Sequence, residues 1–293
     1  MTDQLPGGLW RDGGRGRTFA WRPLTGAVEL AIAEALEGAP SRATATTAVL
    51  ARGLARLDGA RVTDDRVAAL SVGDRRFLLA RLAIHLGEGQ RWCHAGCGRC
   101  GAVFDFHVDL AALPVRAAGH GYPFVSLRLE NSGQENGAAA ARFRVPTGAD
   151  EEAIAVEAAA QDGRDAGDGA ERALAWRLAE RCWVSPAGRA GRAGWRRITA
   201  LGEGALAAIE AAMERVAPEV PASFEAACPS CGQANAIAID LHAALGRRSD
   251  GLLDDVHALA STYHWSETAI LRLPHQRRQR YLARLDRARG LVS

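Results

Sequence analysis

Residues 97–110 read Cys97-Gly98-Arg99-Cys100-Gly101-Ala102-Val103-Phe104-Asp105-Phe106-His107-Val108-Asp109-Leu110, and residues 228–241 read Cys228-Pro229-Ser230-Cys231-Gly232-Gln233-Ala234-Asn235-Ala236-Ile237-Ala238-Ile239-Asp240-Leu241. Without a gap, both cysteines, the glycine after them and the closing Asp-Leu coincide. Each Cys-x-x-Cys turn supplies two thiolates, and a tetrahedral zinc ion takes four. One turn cannot close a structural site, whereas two can, so Cys97, Cys100, Cys228 and Cys231 are the expected ligands of one structural zinc ion. The glycine lets each turn curl so that backbone amides face the sulfurs. The alternating residues at 103–108 and 236–240 read as short strands of a split zinc ribbon. Four cysteines leave no coordination position for water or substrate, and such a site can contribute ~10–16 kcal/mol to folding. The competing reading is a set of buried thiols or a redox pair. A thioredoxin-type pair, however, opens a helix, and strand-like alternation follows here. Cys93 and His94 could replace a ligand, although the simpler role for each is that of neighbour. Cys182, in a helical stretch, reads as a core thiol.

The same order of signals occurs twice along the chain. Residues 25–33 (Thr-Gly-Ala-Val-Glu-Leu-Ala-Ile-Ala) echo residues 147–155 (Thr-Gly-Ala-Asp-Glu-Glu-Ala-Ile-Ala), and Leu50-Ala51-Arg52 echoes Leu178-Ala179-Glu180-Arg181. Together with the cysteine turns, these three echoes favour an internal duplication. Each half then opens on a short alternating strand, at 18–21 or 142–145, followed by the Thr-Gly step. Thr25 and Thr147 are candidate helix caps, their hydroxyls accepting a free amide hydrogen, and Asp150 and Glu151 suit the positive end of a helix. Alanine-rich helices follow, including 75–87 and 204–216, and a cysteine knuckle closes each half. The expected fold is mainly α with a small β component, its two pseudo-repeated halves joined by a split four-cysteine zinc ribbon and followed by C-terminal helices. The expected boundaries are 1–16 (flexible arm), 17–110 (first half), 111–142 (linker or hairpin insertion), 143–241 (second half) and 242–293 (C-terminal helices). Residues 131–140, 161–170 and 185–194 read as linkers.

Of the 293 residues, 48% are hydrophobic, enough for a sizeable core and roughly two domains. No apolar run approaches the ~20 residues of a membrane span, and the start lacks a secretory pattern, so a cytoplasmic protein is expected. All 36 basic residues are arginine. The lack of lysine removes Schiff-base, phosphate-loop and lysine-base chemistry. Dinucleotide, metalloprotease and nucleophile-elbow motifs are missing too, so no enzyme is expected. Because alanine, glycine and arginine dominate throughout, as in a GC-rich genome, arginine alone argues weakly for nucleic acid.

The C-terminal segment is the other candidate site. It divides into helical stretches at 252–262, 266–272 and from Pro274 to about 289, with Ser266 a plausible cap. From residue 272 to 289 it carries seven arginines against one acid, Asp286. Such a run is either a solvated helix face or a docking face for an acidic protein or nucleic acid. Trp265 and Tyr281 are interface-type residues that could equally be core. The candidate partner-binding set is Trp265, Arg272, Arg277, Arg278, Tyr281 and Arg284.

Several of these segments also resemble the baseplate hub assembly chaperones of T4-like contractile phage tails and related extracellular contractile injection systems. The resemblance rests on Arg22-Pro23-Leu24-Thr25-Gly26, Phe143-Arg144-Val145-Pro146-Thr147-Gly148, Leu178-Ala179-Glu180-Arg181-Cys182 and Cys228-Pro229-Ser230-Cys231-Gly232. Its most specific part is the tail: Val256-His257-Ala258-Leu259-Ala260, Tyr263-His264-Trp265, Ile270-Leu271-Arg272-Leu273-Pro274, Arg277-Arg278 and Tyr281-Leu282. It implies a small cytoplasmic, non-catalytic factor that helps build the baseplate hub, with a hub or spike protein as partner. Neither a membrane nor a small-molecule substrate is expected as a partner. The rival expectations are a permanent baseplate subunit and a zinc-ribbon regulator binding nucleic acid, the latter disfavoured by a net charge of +2.

Overall fold

The structure is a computed structural model and describes residues 4–11, 14–129, 139–161, 168–184, 194–196, 198–246, 249–288 and 290. Most of the three expected linkers (residues 131–138, 162–167 and 185–193) lie outside the described residues. About 51% of the described residues are helical and 25% lie in strands, so helices predominate but strand is a substantial share. In chain order the first elements are β1 (Gln4–Arg11), β2 (Gly14–Trp21), α1 (Gly26–Glu37), α2 (Arg42–Gly53), β3 (Leu54–Leu57), β4 (Ala60–Arg61), α3 (Asp64–Ala68) and α4 (Val72–His85). Then come β5 (Gln90–Gly96), β6 (Val103–Asp109), β7 (Phe124–Leu129), β8 (Ala139–Arg144), α5 (Gly148–Gln161), α6 (Asp168–Cys182) and α7 (Glu203–Val216). The last are β9 (Ser223–Ala227), β10 (Ala234–Ala238), α8 (Ser249–Tyr263), α9 (Glu267–Leu271) and α10 (His275–Ala288). No helix among the described residues is long and apolar enough to cross a membrane.

The chain forms two compact units, each assembled from three separated segments. The first unit takes the described residues of 1–18, 65–77 and 115–220. Its core packs Leu129, Phe143, Cys182, Leu206, Ile209 and Met213 from β7, β8, α6 and α7. Cys182 is thus the core thiol expected, and burial pushes its thiol up to about 12.

The described residues of 4–16 correct the expectation of a flexible arm, since β1 pairs antiparallel with β2 and buries Leu5 and Leu9. The glycines that made this stretch look disordered have a packing reason. Asp74 accepts the Gly7 and Gly8 amides at 2.7 and 2.9 Å, and also the Ser71 and Tyr122 hydroxyls. A Cβ on Gly7 would collide with that carboxylate. Gly8 also has φ +104°, a conformation open to glycine. Four donors offset much of the cost of burying Asp74, whose carboxyl is nonetheless pushed up by burial.

A compact joint ties α4 to α5 within the first unit. Ser71 bridges Thr147 antiparallel, Leu70 O accepts the Gly148 amide at 3.0 Å, and Pro146 O accepts the Val72 amide at 3.2 Å. The buried Arg75 guanidinium lies against Gly148, where a Cβ would overlap it, and reaches Glu151 at 3.5 Å. Glycine follows threonine here because the guanidinium occupies the space of a side chain. Burial draws the Arg75 pKa down, while Glu151 and Glu152 hold it up. Asp150 accepts the Thr147 amide and hydroxyl and two bonds from Arg144. Thr147 therefore donates to the helix's third residue, whereas the sequence pointed to a hydroxyl accepting an amide.

The second unit takes residues 19–64, 78–114 and the described part of 221–293. It contains a joint of the same construction, made from distant segments. Thr25 bridges Pro274 antiparallel, Leu273 O accepts the Gly26 amide at 3.3 Å, and Leu24 O accepts the His275 amide at 3.0 Å. Arg278, four residues after Pro274, is 0% exposed and donates to Glu29 at 2.6 Å, with His275 on the same oxygen at 3.0 Å. A Cβ on Gly26 would sit 2.7 Å from the Arg278 guanidinium. Thr25 occupies the cap position of α1 but makes no side-chain cap bond, because the strand-like bridge to Pro274 holds this end instead. Ser41 caps α2 through a full capping box with Thr44.

The C-terminal helices α8, α9 and α10 pack Val256, Leu259, Ile270 and Leu285 beneath a ring cluster of Tyr263, Trp265 and Tyr281. Ser266 caps α9 through the Ala269 amide, as its position in the sequence indicated.

Both joints are testable. Gly148→Ala should destabilise the protein by about 1–3 kcal/mol in thermal or urea unfolding, as overpacking does. Gly204→Ala, in α7 with open space around it, should be neutral or stabilising. Arg278→Ala should cost about 3–5 kcal/mol, because it strands Glu29 as a buried charge; a loss under about 1 kcal/mol would contradict the joint.

Candidate metal centre

Two hairpins of the second unit carry the cysteine turns at their tips. β5 and β6 pair from Gln90↔Asp109 to Gly96↔Val103, and β9 and β10 pair from Ser223↔Ala238 to Ala227↔Ala234. Each knuckle fills the turn between its strands and closes with the same two bonds. Cys97 donates its amide to Ala102 O at 2.9 Å, and Gly101 donates to Cys97 O at 3.0 Å. Cys228 donates to Gln233 O at 2.8 Å, and Gly232 donates to Cys228 O at 2.9 Å. Gly101 and Gly232 sit at φ +73° and +72°, which explains the shared glycine after the second cysteine. Beneath the knuckles, Phe104, Phe106, Phe224 and Ile237 form a small apolar core, with Phe106 and Phe224 in edge contact at 5.2 Å. A bond from the Gly98 amide to the Asn235 side chain, at 3.1 Å, links the two hairpins.

This arrangement brings together Cys97, Cys100, Cys228 and Cys231, whose sulfurs all lie within 4.8 Å of one another. Cys97–Cys231 and Cys100–Cys228 are 3.6 and 3.8 Å apart, too far for disulfides at ~2.05 Å. A metal–sulfur bond of about 2.3 Å sets the edge of a tetrahedron at about 3.8 Å, so the donor set fits a four-coordinate thiophilic ion.

The electrostatics point the same way. The Cys100 and Arg99 amides hold the Cys97 thiol down at about 6. Burial works against the Cys228 thiolate, but the Ser230 and Cys231 amides outweigh it and keep its pKa below the usual value. The Gln233 amide favours ionisation of Cys231, yet the Cys100 sulfur, burial and the sulfurs of Cys97 and Cys228 drive its thiol up to about 12. Four sulfurs this close cannot all be anionic unless a cation sits between them. With all four ligands from protein, an ion bound here would have no open position and would join the two hairpins.

Among the other expected residues, Cys93 pairs with Phe106 in β5, and His94 is exposed with its ring 3.3 Å from Asp105. Neither joins the four-sulfur group. Trp265 and Tyr281 meet edge to face, half-buried, in the C-terminal ring cluster. Arg272, Arg277 and Arg284 are exposed, whereas Arg278 is interior and so cannot belong to an outward face. The strands β5 and β9 that precede the knuckles escaped the sequence reading, and Arg280 and Arg287, counted in the arginine run of 272–289 but outside the candidate set, are exposed on α10.

Elemental analysis of the purified chain should find one metal ion per molecule. Cys228→Ala should abolish it and lower the melting temperature, while Cys93→Ser should leave metal content unchanged. Full occupancy without Cys228 would refute the four-cysteine centre. The chain matches no protein-family model, no curated protein and no solved structure.

Proposed function

We propose that this protein is a non-catalytic, cytoplasmic assembly factor for the baseplate hub of a contractile tail or injection system, clasped by one structural zinc ion. The observation that carries the reading is where the residues of the resemblance lie. Thr25-Gly26 and Leu273-Pro274 with Arg278 build one joint, and Pro146-Thr147-Gly148 builds the other against Arg75. Val256, Leu259, Tyr263, Trp265, Ile270 and Tyr281 pack the C-terminal cluster. Cys228 and Cys231 belong to the sulfur cluster. The shared residues are thus packing joints and metal ligands, which favours a shared scaffold for binding over a shared reaction. Zinc is the natural occupant of four thiolates with tetrahedral edges in a structural centre.

The joints also support a duplication, and one with exchanged partners. Thr25-Gly26 of the first half takes its arginine from the segment after the second knuckle. Thr147-Gly148 of the second half takes its arginine from the first half.

Capture of the tagged chain from its native host, with mass spectrometry of the co-purifying proteins, tests the assembly role. Hub, spike or baseplate proteins should be recovered, and the chain should be scarce in purified particles. Stoichiometric presence in the particle would make it a permanent subunit, and nucleic acid or polymerase subunits without tail proteins would make it a zinc-ribbon regulator. Deleting residues 252–293 should abolish capture, and zinc should be the metal found.

A further inference from the structure

We infer that the outward face of α10 is a docking surface for an acidic helical surface of a client protein, contacted by Arg277, Arg280, Arg284 and Arg287. The inference rests on the binding-module reading and narrows it to one face and one partner chemistry. The four residues follow one another at steps of three, four and three. At 100° per residue they fall within an arc of about 80° and extend over about 15 Å of helix. All four are exposed, while Arg278 and Leu285 of the same helix are buried on another side. Asp286, the acid of α10, lies well outside the arc, about 100–180° around the helix from each of the four.

Among the described residues, none of the four has a carboxylate within ion-pair distance, in contrast to Arg42, Arg116, Arg172 and Arg177. Arg284 and Arg287 instead reach carbonyls of their own helix, Arg280 O at 3.3 Å and Ala283 O at 3.2 Å. Like charges at these spacings repel one another, and a partner with carboxylates at the same repeat removes that repulsion. A helix bearing Asp or Glu at steps of three and four presents that repeat, and guanidinium groups bind carboxylates with directed hydrogen bonds. Nucleic acid fits less well. Single-strand sites combine cations with open aromatic platforms, but the rings beside this face pack on one another, with Tyr263–Trp265 and Trp265–Tyr281 centroids 4.9 Å apart.

Fluorescence anisotropy on the full chain tests the surface with two labelled alanine-rich helical peptides of equal composition. One carries glutamates at steps of three, four and three, and the other has them scattered around the helix. The striped peptide should bind more tightly and weaken with added salt. R277Q/R280Q/R284Q/R287Q should lower its affinity by about tenfold, the sum expected of four exposed ion pairs. R280Q/R287Q should lose part of that, and unchanged metal content in both variants would show the fold intact. Equal binding of the two peptides, or unchanged binding by both variants, would overturn the surface. Tighter arginine-dependent binding of a single-stranded oligonucleotide would overturn it as well. Host capture with the quadruple variant keeps the two readings apart. Retained tail proteins would remove this surface alone, whereas their absence with the unaltered chain would remove the assembly role.

Discussion

Four cysteine sulfurs at the tips of two hairpins lie within contact distance of one another, and thiolates at that spacing repel strongly unless a cation neutralises them. The surroundings of the cluster are arranged for an ion. Amides converge on Cys97 and Cys228, a pair of glycines in the left-handed region closes the turns, and aromatic rings fill the space below. Neither hairpin has a large core of its own, because two short strands bury little apolar surface. A metal ion held by the four sulfurs would therefore cross-link segments well over a hundred residues apart, where a loop-closure constraint has its largest effect.

The arginine joints solve a related problem by different means. Burying a guanidinium is costly unless its charge is met, and Glu29 pairs with Arg278 while Glu151 and Glu152 accompany Arg75. Each joint also needs room, which glycine provides at the first position of the adjoining helix. A lysine would lack the flat, forked shape that lies against a glycine backbone, so arginine at these two positions has a structural reason beyond composition. Elsewhere in the chain the arginines are mostly on the surface, consistent with compositional bias.

Function and fold thus divide the conspicuous residues differently from their chemistry. The four clustered cysteines, Cys182, His275 and the buried carboxylates of Glu29, Asp74 and Asp150 are engaged in packing or in contacts between segments. On the last helix, Arg277, Arg280, Arg284 and Arg287 remain exposed to solvent.

The ligand set was legible in the sequence because a Cys-x-x-Cys turn is a local pattern, and its repetition needs no knowledge of distant contacts. Helices such as α7, α9 and α10 were legible for the same reason, through alanine content, the Ser266 cap and Pro274 at the helix start. The N-terminal strand was not: its glycines carry no hydrophobic signal, and only Asp74, far along the chain, gives them a purpose. Nor could periodicity separate Arg277 from Arg278, adjacent residues of which one faces solvent and the other the Glu29 carboxylate. The sequence by itself determined the four sulfurs and most helical segments, since those depend on neighbours within a turn or two. Tertiary structure alone decided which segment meets each Thr-Gly step and which arginine is buried, because burial and ion pairing depend on residues brought together from opposite ends of the chain.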